Sequence, residues 1–251
     1  MKRRTVLISF LLYLLVIHYK GFSQDAKELV RMADQKMKGN SSYAEITIIT
    51  VRKTYTREMD VRVFTKGNDY ALIEIMSPAK DKGVKFLRRN KEVWNWIPSI
   101  ERTIKLPPSM MNQSWMGTDF TNDDLVKEAS ILEDYTHRLV GKSIVDGRSC
   151  NQIILQPLPS SAVVWGKIML YIDEKEHVIL MANYYDEDGQ LVNKMIASEL
   201  KMFSGRLLPS RMEMTPAEKP ENKTILTYHD LKFDVSLTDD LFSPQSLQKT
   251  K

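Results

Sequence analysis

The sequence predicts a mainly β domain built on one large, strongly curved antiparallel sheet, with a few helices. Three observations carry that prediction. Apolar residues recur at every second position through most of the stretch from Tyr43 to Phe233. Hairpin-type turns interrupt the pattern at regular intervals, among them Asp146-Gly147, Asp188-Gly189 and Ser204-Gly205. Two segments depart from it, a helical-period run before the first strand and an irregular stretch in the middle.

The chain opens with Lys2, Arg3 and Arg4, an uncharged run Val6–Ile17, and small residues at Gly21 and Ser23. This is the pattern of a signal peptide over residues 1–23, cleaved near Ser23–Gln24. A retained anchor is the alternative, but the apolar run falls short of the roughly 20 residues a spanning helix needs. Residues 24–251 then form a single domain. Within it, Asp25–Lys38 places Leu29, Val30, Met32, Ala33 and Met37 at helical spacing, and Gly39-Asn40 ends the helix.

Strands follow at Ala44–Val51, Met59–Thr65, Tyr70–Met76, Gly83–Arg88, Glu92–Ile97 and Arg102–Leu106. Pro107–Glu128 has no assignable period, and Thr121 caps a short helix near its end with Asp123 and Asp124 in the first turn. Strands resume at Tyr135–Val145, Ser149–Gln156, Val164–Ile172, Val178–Tyr185, Leu191–Met202, Leu207–Met214 and Thr224–Phe233. No internal repeat or linker divides them.

Charge and motifs exclude several functions. Four of the 36 basic residues and none of the 32 acidic ones lie in the leader, so the mature chain carries no net charge. It has neither the basic surface nucleic acid requires nor a reason for strong steering toward an anionic bilayer. Cys150 stands alone, so no intramolecular disulfide forms, and one cysteine with three scattered histidines (His137, His177, His229) builds no zinc cage. Cys150 beside Arg148 invites a reactive-thiol reading; a buried strand cysteine is the simpler one. No nucleophile elbow, P-loop or dinucleotide fingerprint is present, and Asp186-Glu187-Asp188-Gly189 lacks the later acid of a calcium loop. The sequence therefore predicts no catalytic residue, no metal and no cofactor.

Methionine is over-used, with 14 residues. Its unbranched, polarizable side chain suits irregular or changeable apolar surfaces. Met110, Met111 and Met116 cluster with Trp115 and Phe120 in the irregular segment, which must bury itself or cover something. Trp94 and Trp96 share a face of one strand, as do Trp165, Met169 and Tyr171 on another. One reading is an ordinary sandwich core. The other is a concave sheet whose inner face stays apolar and unfilled, closed by the Met/Trp segment as a lid. Holding an acyl chain in water costs about 0.8 kcal/mol per methylene, so such a shelter has an evident use.

The run Trp94-Asn95-Trp96-Ile97-Pro98, then Arg102-Thr103-Ile104-Lys105-Leu106-Pro107-Pro108, then Met116-Gly117-Thr118-Asp119-Phe120-Thr121-Asn122-Asp123-Asp124-Leu125 resembles the outer-membrane lipoprotein-sorting protein family, LolA-like in fold. Ser77-Pro78-Ala79-Lys80-Asp81-Lys82-Gly83 and the N-terminal helix are similar too. The resemblance implies an open half-barrel whose concavity is covered by helices, acting in the periplasm on acyl chains of lipoproteins or other lipids. It also implies an inner-membrane transporter or permease as a partner, and it brings no catalytic residue. The pattern assigns Trp94, Trp96, Met110, Met111, Trp115, Met116, Phe120, Met169 and Tyr171 to the cavity or lid. The expected protein is a monomeric carrier making transient membrane contact. A lipid sensor or accessory binding module of a transporter is the second reading, and an envelope hydrolase using the histidines the third.

Overall fold

A computed structural model describes residues 26–127 and 131–248, so the expected signal peptide lies outside the described residues. Residues 26–38 form helix α1. It ends where expected: Gly39 takes φ +63°, its N–H donates to the Gln35 carbonyl at 2.9 Å, and a Cβ there would meet Phe233. Thirteen strands follow: β1 (Ser41–Val51), β2 (Thr56–Lys66), β3 (Tyr70–Ser77), β4 (Lys85–Arg89), β5 (Glu92–Ile97), β6 (Arg102–Leu106), β7 (Tyr135–Val145), β8 (Arg148–Pro157), β9 (Lys167–Asp173), β10 (Ile179–Tyr185), β11 (Leu191–Phe203), β12 (Arg206–Pro216) and β13 (Lys223–Phe233).

All thirteen join one antiparallel sheet in the order β6-β5-β4-β3-β2-β1-β13-β12-β11-β10-β9-β8-β7. The sheet is curved and does not close: β6 pairs only with β5, and β7 only with β8. The first and last strands meet at its centre, with Ile48 opposite Leu226 and Val51 opposite Lys223. The two free edges, β6 and β7, are consecutive in the chain. Free edges invite pairing with other chains. Here the β6 edge leads directly into Pro107-Pro108, and a register shift between Leu139 and Gly141 breaks the β7 ladder.

Alternation sorts the side chains by face. The concave face carries Ala44, Ile46 and Ile48 of β1, Met59 and Val61 of β2, Ile73 and Ile75 of β3, and Ile168, Leu170 and Ile172 of β9, all buried in the main core. The convex face is covered locally. After β13 the chain runs back over the outside of β3–β5, where Phe242 and Leu247 pack on Leu72 and Leu87. Tyr70 lies 5.5 Å from Phe242 between ring centroids. Ser41 Oγ donates to the Val235 carbonyl at 2.7 Å, and Lys66 pairs with Asp239 at 2.5 Å, which fixes the path of this strap.

The expected short helix is one π turn, Asp123–Lys127. Cys150 is fully buried on β8, and burial raises its thiol pKa, which leaves it an inert core residue. His137 is buried on β7, its Nε2 2.6 Å from the Ile131 carbonyl, while His229 contacts Thr47 Oγ1 at 2.8 Å. Among the described residues no group of His, Cys, Asp and Glu is arranged to hold a metal ion, and no helix is long and apolar enough to cross a membrane.

Two outcomes follow from this packing. Phe242→Ala removes the centre of the convex cluster and should cost about 3 kcal/mol in urea unfolding; a loss under 1 kcal/mol means the strap is not held there. Burial lowers the His137 pKa despite its bond to Ile131. The unfolded chain therefore takes up a proton first as pH falls below about 6.5. Stability should decline from pH 7 toward the lower folded-state pKa, and His137→Gln, which keeps a donor for Ile131, should flatten that slope.

Candidate functional site

The concave face does not fill itself. A cavity of about 320 Å³ lies between the sheet, α1 and the segment joining β6 to β7. That is roughly twice the ~150 Å³ apolar cavity known to stay dry and admit benzene. Its walls include Ile46, Ile48, Val61 and Ile73 on one half of the sheet and Ile168, Leu170 and Met195 on the other. Alanines make the room: Ala44, Ala71 and Ala182 occupy inward positions where neighbouring strands carry larger side chains. Helix α1 contributes Ala33 and Met37.

Along β2 the inward residues run from buried Met59 and Val61, through half-buried Val63 and Thr65, to exposed Gly67 in the next turn. The cavity thus opens toward Gly67, where its lining turns polar with Ser42, Thr65, Asp34 and Lys38. Ser42 and Thr65 share a hydrogen bond of 2.6 Å, and Lys38 pairs with Asp34 at 2.7 Å.

The β6–β7 segment is the lid. Its apolar face inserts Trp115, Phe120 and Leu125 into the cavity, and the fully buried Trp115 ring packs 5.5 Å from Phe86. Its fold is local and polar: Trp115 N–H donates to the Phe120 carbonyl at 2.8 Å, and Thr118 Oγ1 donates to the Trp115 carbonyl at 2.7 Å. Met116 and Gly117 both take positive φ to make the turn between them.

The lid tip is latched to the rim away from the opening. Arg52 Nη1 meets Asp119 Oδ2 at 3.0 Å, with both side chains largely buried. Thr224 Oγ1 donates to the same Oδ2 at 2.7 Å and accepts the Asp119 N–H at 2.9 Å. Asn193 Nδ2 donates to the Asp119 carbonyl at 3.1 Å, and Arg57 Nη1 to the Met116 carbonyl at 2.7 Å. Asp119 therefore gathers the β1–β2 turn, β11 and β13 onto one loop.

Further along, Thr121 and Asp124 cap one another: Asp124 Oδ2 accepts from the Thr121 N–H and hydroxyl, both at 2.8 Å, and Thr121 Oγ1 accepts the Asp124 N–H at 3.1 Å. Trp165 Nε1 donates to Asp124 Oδ1 at 2.8 Å. Burial raises the Asp124 pKa, opposed by the bonds from Trp165 and Thr121. Burial, reinforced by the nearby carboxylates, also raises Tyr135 and Tyr184, whose phenols stay neutral against the cavity. The site offers shape and apolar surface.

Of the nine residues assigned by pattern, Trp115 and Phe120 line the cavity. Met111 is buried in the main core beside them, Met116 packs on that core from the lid tip, and Met110 ends the 3-10 turn Pro108–Met110. Trp94 and Trp96 do share a face, but it is the convex one, against Leu87 and the C-terminal strap. Met169 and Tyr171 alternate with cavity-lining Ile168 and Leu170 and so take the outer face. Trp165 separates from them because the backbone bends at Gly166, where a Cβ would lie 2.4 Å from the Asp186 carbonyl oxygen. The wall methionines are Met37, Met195 and Met212. A cue was present in the sequence: alanine is depleted in strands, and three inward alanines signal withheld volume.

A protein family described as an uncharacterized protein matches residues 67–249, well over half of the chain. No curated protein matches the sequence. Among solved structures, a DUF1329 family protein from Desulfovibrio piger is similar with a TM-score of 0.81 and 22% identity, covering 90% of this chain and 99% of that one. A domain named for outer membrane lipoprotein sorting, from Vibrio parahaemolyticus, is similar with a TM-score of 0.81 and 18% identity over 90% and 100% of the two chains. A LolA superfamily protein from Nitrosomonas europaea is similar at 0.75 and 22% over 87% and 97%. These likenesses establish the LolA-like fold.

Asp119→Ala should release the lid tip at a cost of about 2 kcal/mol, the order expected when a buried hydrogen-bonded charge loses its partners. Hydrogen exchange should quicken at residues 112–121 while β9–β10 stay protected. Unchanged exchange there would mean that the latch does not hold the lid.

Proposed function

The chain belongs to the family described as an uncharacterized protein, and we propose that it is a periplasmic carrier that shelters acyl chains of lipoproteins or other lipids and delivers them toward the outer membrane. The observation that carries this reading is the cavity of about 320 Å³, apolar along most of its walls, with Asp123 and Asp124 contributed by the lid, and polar toward its opening. Amphiphile chemistry matches that gradient. Each methylene moved from water to the walls is worth about 0.8 kcal/mol, so even ten of them return about 8 kcal/mol. A headgroup stays at the opening, beside Lys38, Asp34, Ser42 and Thr65.

Cargo must also leave. The lid is held by hydrogen bonds and ion pairs at its tip and by apolar packing within, so it opens as a unit when those few polar contacts break. Met37, Met195 and Met212 give the wall side chains that change shape without strain. The solved domain from Vibrio parahaemolyticus is named for lipoprotein sorting, and the shared fold makes the same cargo chemistry reasonable here. The leader-like segment at residues 1–23 supports a periplasmic setting.

A fluorescent fatty-acid probe tests the reading. It should bind the purified protein, and Ala182→Phe, which fills the cavity from β10, should weaken binding at least about tenfold by displacing about two methylenes of contact. Native mass spectrometry of gently purified protein should show lipid adducts that the variant lacks. Consistent absence of adducts together with no probe binding would sink the carrier reading.

A further inference from the structure

We infer that one rim of the half-barrel, formed by three turns of the β1–β6 half, is the surface on which this protein docks to an anionic phospholipid bilayer. The turns are residues 52–55 between β1 and β2, residues 78–84 between β3 and β4, and residues 98–101 between β5 and β6. Register places them together, since Val51 faces Thr56, Asp60 faces Ser77, and Ile97 faces Arg102. With about 5 Å between strands, the first and third turns stand some 20 Å apart along the rim.

Two large apolar side chains project from these tips into solvent: Tyr55 is 51% exposed and Ile100 is 54% exposed. Around them Lys53, Lys80, Lys82 and Arg102 are exposed, and none makes an ion pair among the described residues. Of the two acids in these turns, Asp81 is already taken by Arg57 at 2.8 Å and Glu101 is exposed beside Arg102, which leaves the four cations in excess. Four unpaired cations around a tyrosine and an isoleucine suit a surface with phosphates outside and acyl chains beneath.

The same rim turns acidic on the other half of the sheet. The 186–190 turn carries Asp186, Glu187 and Asp188, and the 217–222 loop carries Glu218 and Glu221 against one cation, Lys219. Val51 faces Lys223, Asn193 faces Pro216 and Tyr185 faces Leu191, which puts these turns on that rim. The two halves of the rim thus differ in charge, a polarity that would tilt the molecule, basic half toward an anionic membrane. The docking rim is also where the lid tip is latched, because Arg52 and Arg57 belong to the first of the three turns and its flank.

The inference rests on the carrier reading only for the reason a bilayer would be met. Co-sedimentation of the purified protein with vesicles tests it: phosphatidylglycerol–phosphatidylcholine mixtures should bind, pure phosphatidylcholine should bind far less, and high salt should release the protein. Lys80→Glu with Lys82→Glu and Arg102→Glu should cut binding at least about tenfold, given the contribution expected of each cation near an anionic surface. Tyr55→Ser with Ile100→Ser should lower binding to the same vesicles. Lys91→Glu, on the opposite rim, should change little. Thermal melts and fatty-acid probe binding should stay as in the parent for all three. Equal binding to neutral and anionic vesicles, or binding indifferent to the rim variants while sensitive to Lys91→Glu, overturns the inference. Vesicle docking without probe binding would overturn the carrier reading and leave the rim assignment standing.

Discussion

The pairing of β1 with β13 governs the rest of the molecule. It joins the first and last strands at the middle of the sheet, so chain order runs outward on both sides and the two free edges fall on consecutive strands, β6 and β7. The segment between them has no choice but to travel from one edge to the other. On an open, curved sheet, that path lies across the concave side. Topology requires the crossing, and the apolar packing of the segment puts it over the concave side: Trp115 and Phe120 inward, Asp119 at the tip toward the rim.

A lid over an apolar cavity has two demands that pull apart. Apolar packing alone holds strongly but selects no single position, since one greasy contact replaces another at little cost. Polar contacts fix a position, yet each one buried without a partner costs about 1–3 kcal/mol. The structure separates the two. Asp119 receives Arg52, Thr224 and its own N–H bond at the rim, and Asp124 receives Thr121 and Trp165 within. The Trp115 and Phe120 rings face the cavity and core, and the separation is not complete there, since the buried Trp115 Nε1 has no hydrogen-bond partner among the described residues. A small number of polar bonds fixes the lid in this position.

The architecture was legible in the sequence because the period-two pattern and the turn pairs repeat so often that errors at strand ends do not matter. The lid was legible for the opposite reason: an apolar segment with no period, led by Pro107-Pro108, has to cover something. The cavity wall was harder to read. Trp94 and Trp96 sit on a strand covered on both faces, by the core within and the strap without, and alternation says which residues share a face but not which face is inside. Trp165 was grouped with Met169 and Tyr171 by counting, and one close approach at Gly166 changed the count. Large residues drew the eye, whereas the space is set by small ones, Ala44, Ala71 and Ala182.

Charge was misleading in the same manner. A sum over the chain treats every side chain as if it stood at one point, but a sheet sorts its turns onto two rims and its halves onto two sides. Screening over about 8–10 Å at physiological ionic strength means that a bilayer meeting one rim feels only the nearest turns. Lys53, Lys80, Lys82 and Arg102 lie on one half of a rim, and Asp186, Glu187, Asp188, Glu218 and Glu221 on the other half. A small net total then coexists with a local field of one sign, and opposite ends of the rim oppose each other at distance. Attraction grows only when the basic half has already turned inward, and there Tyr55 and Ile100 have apolar surface to gain.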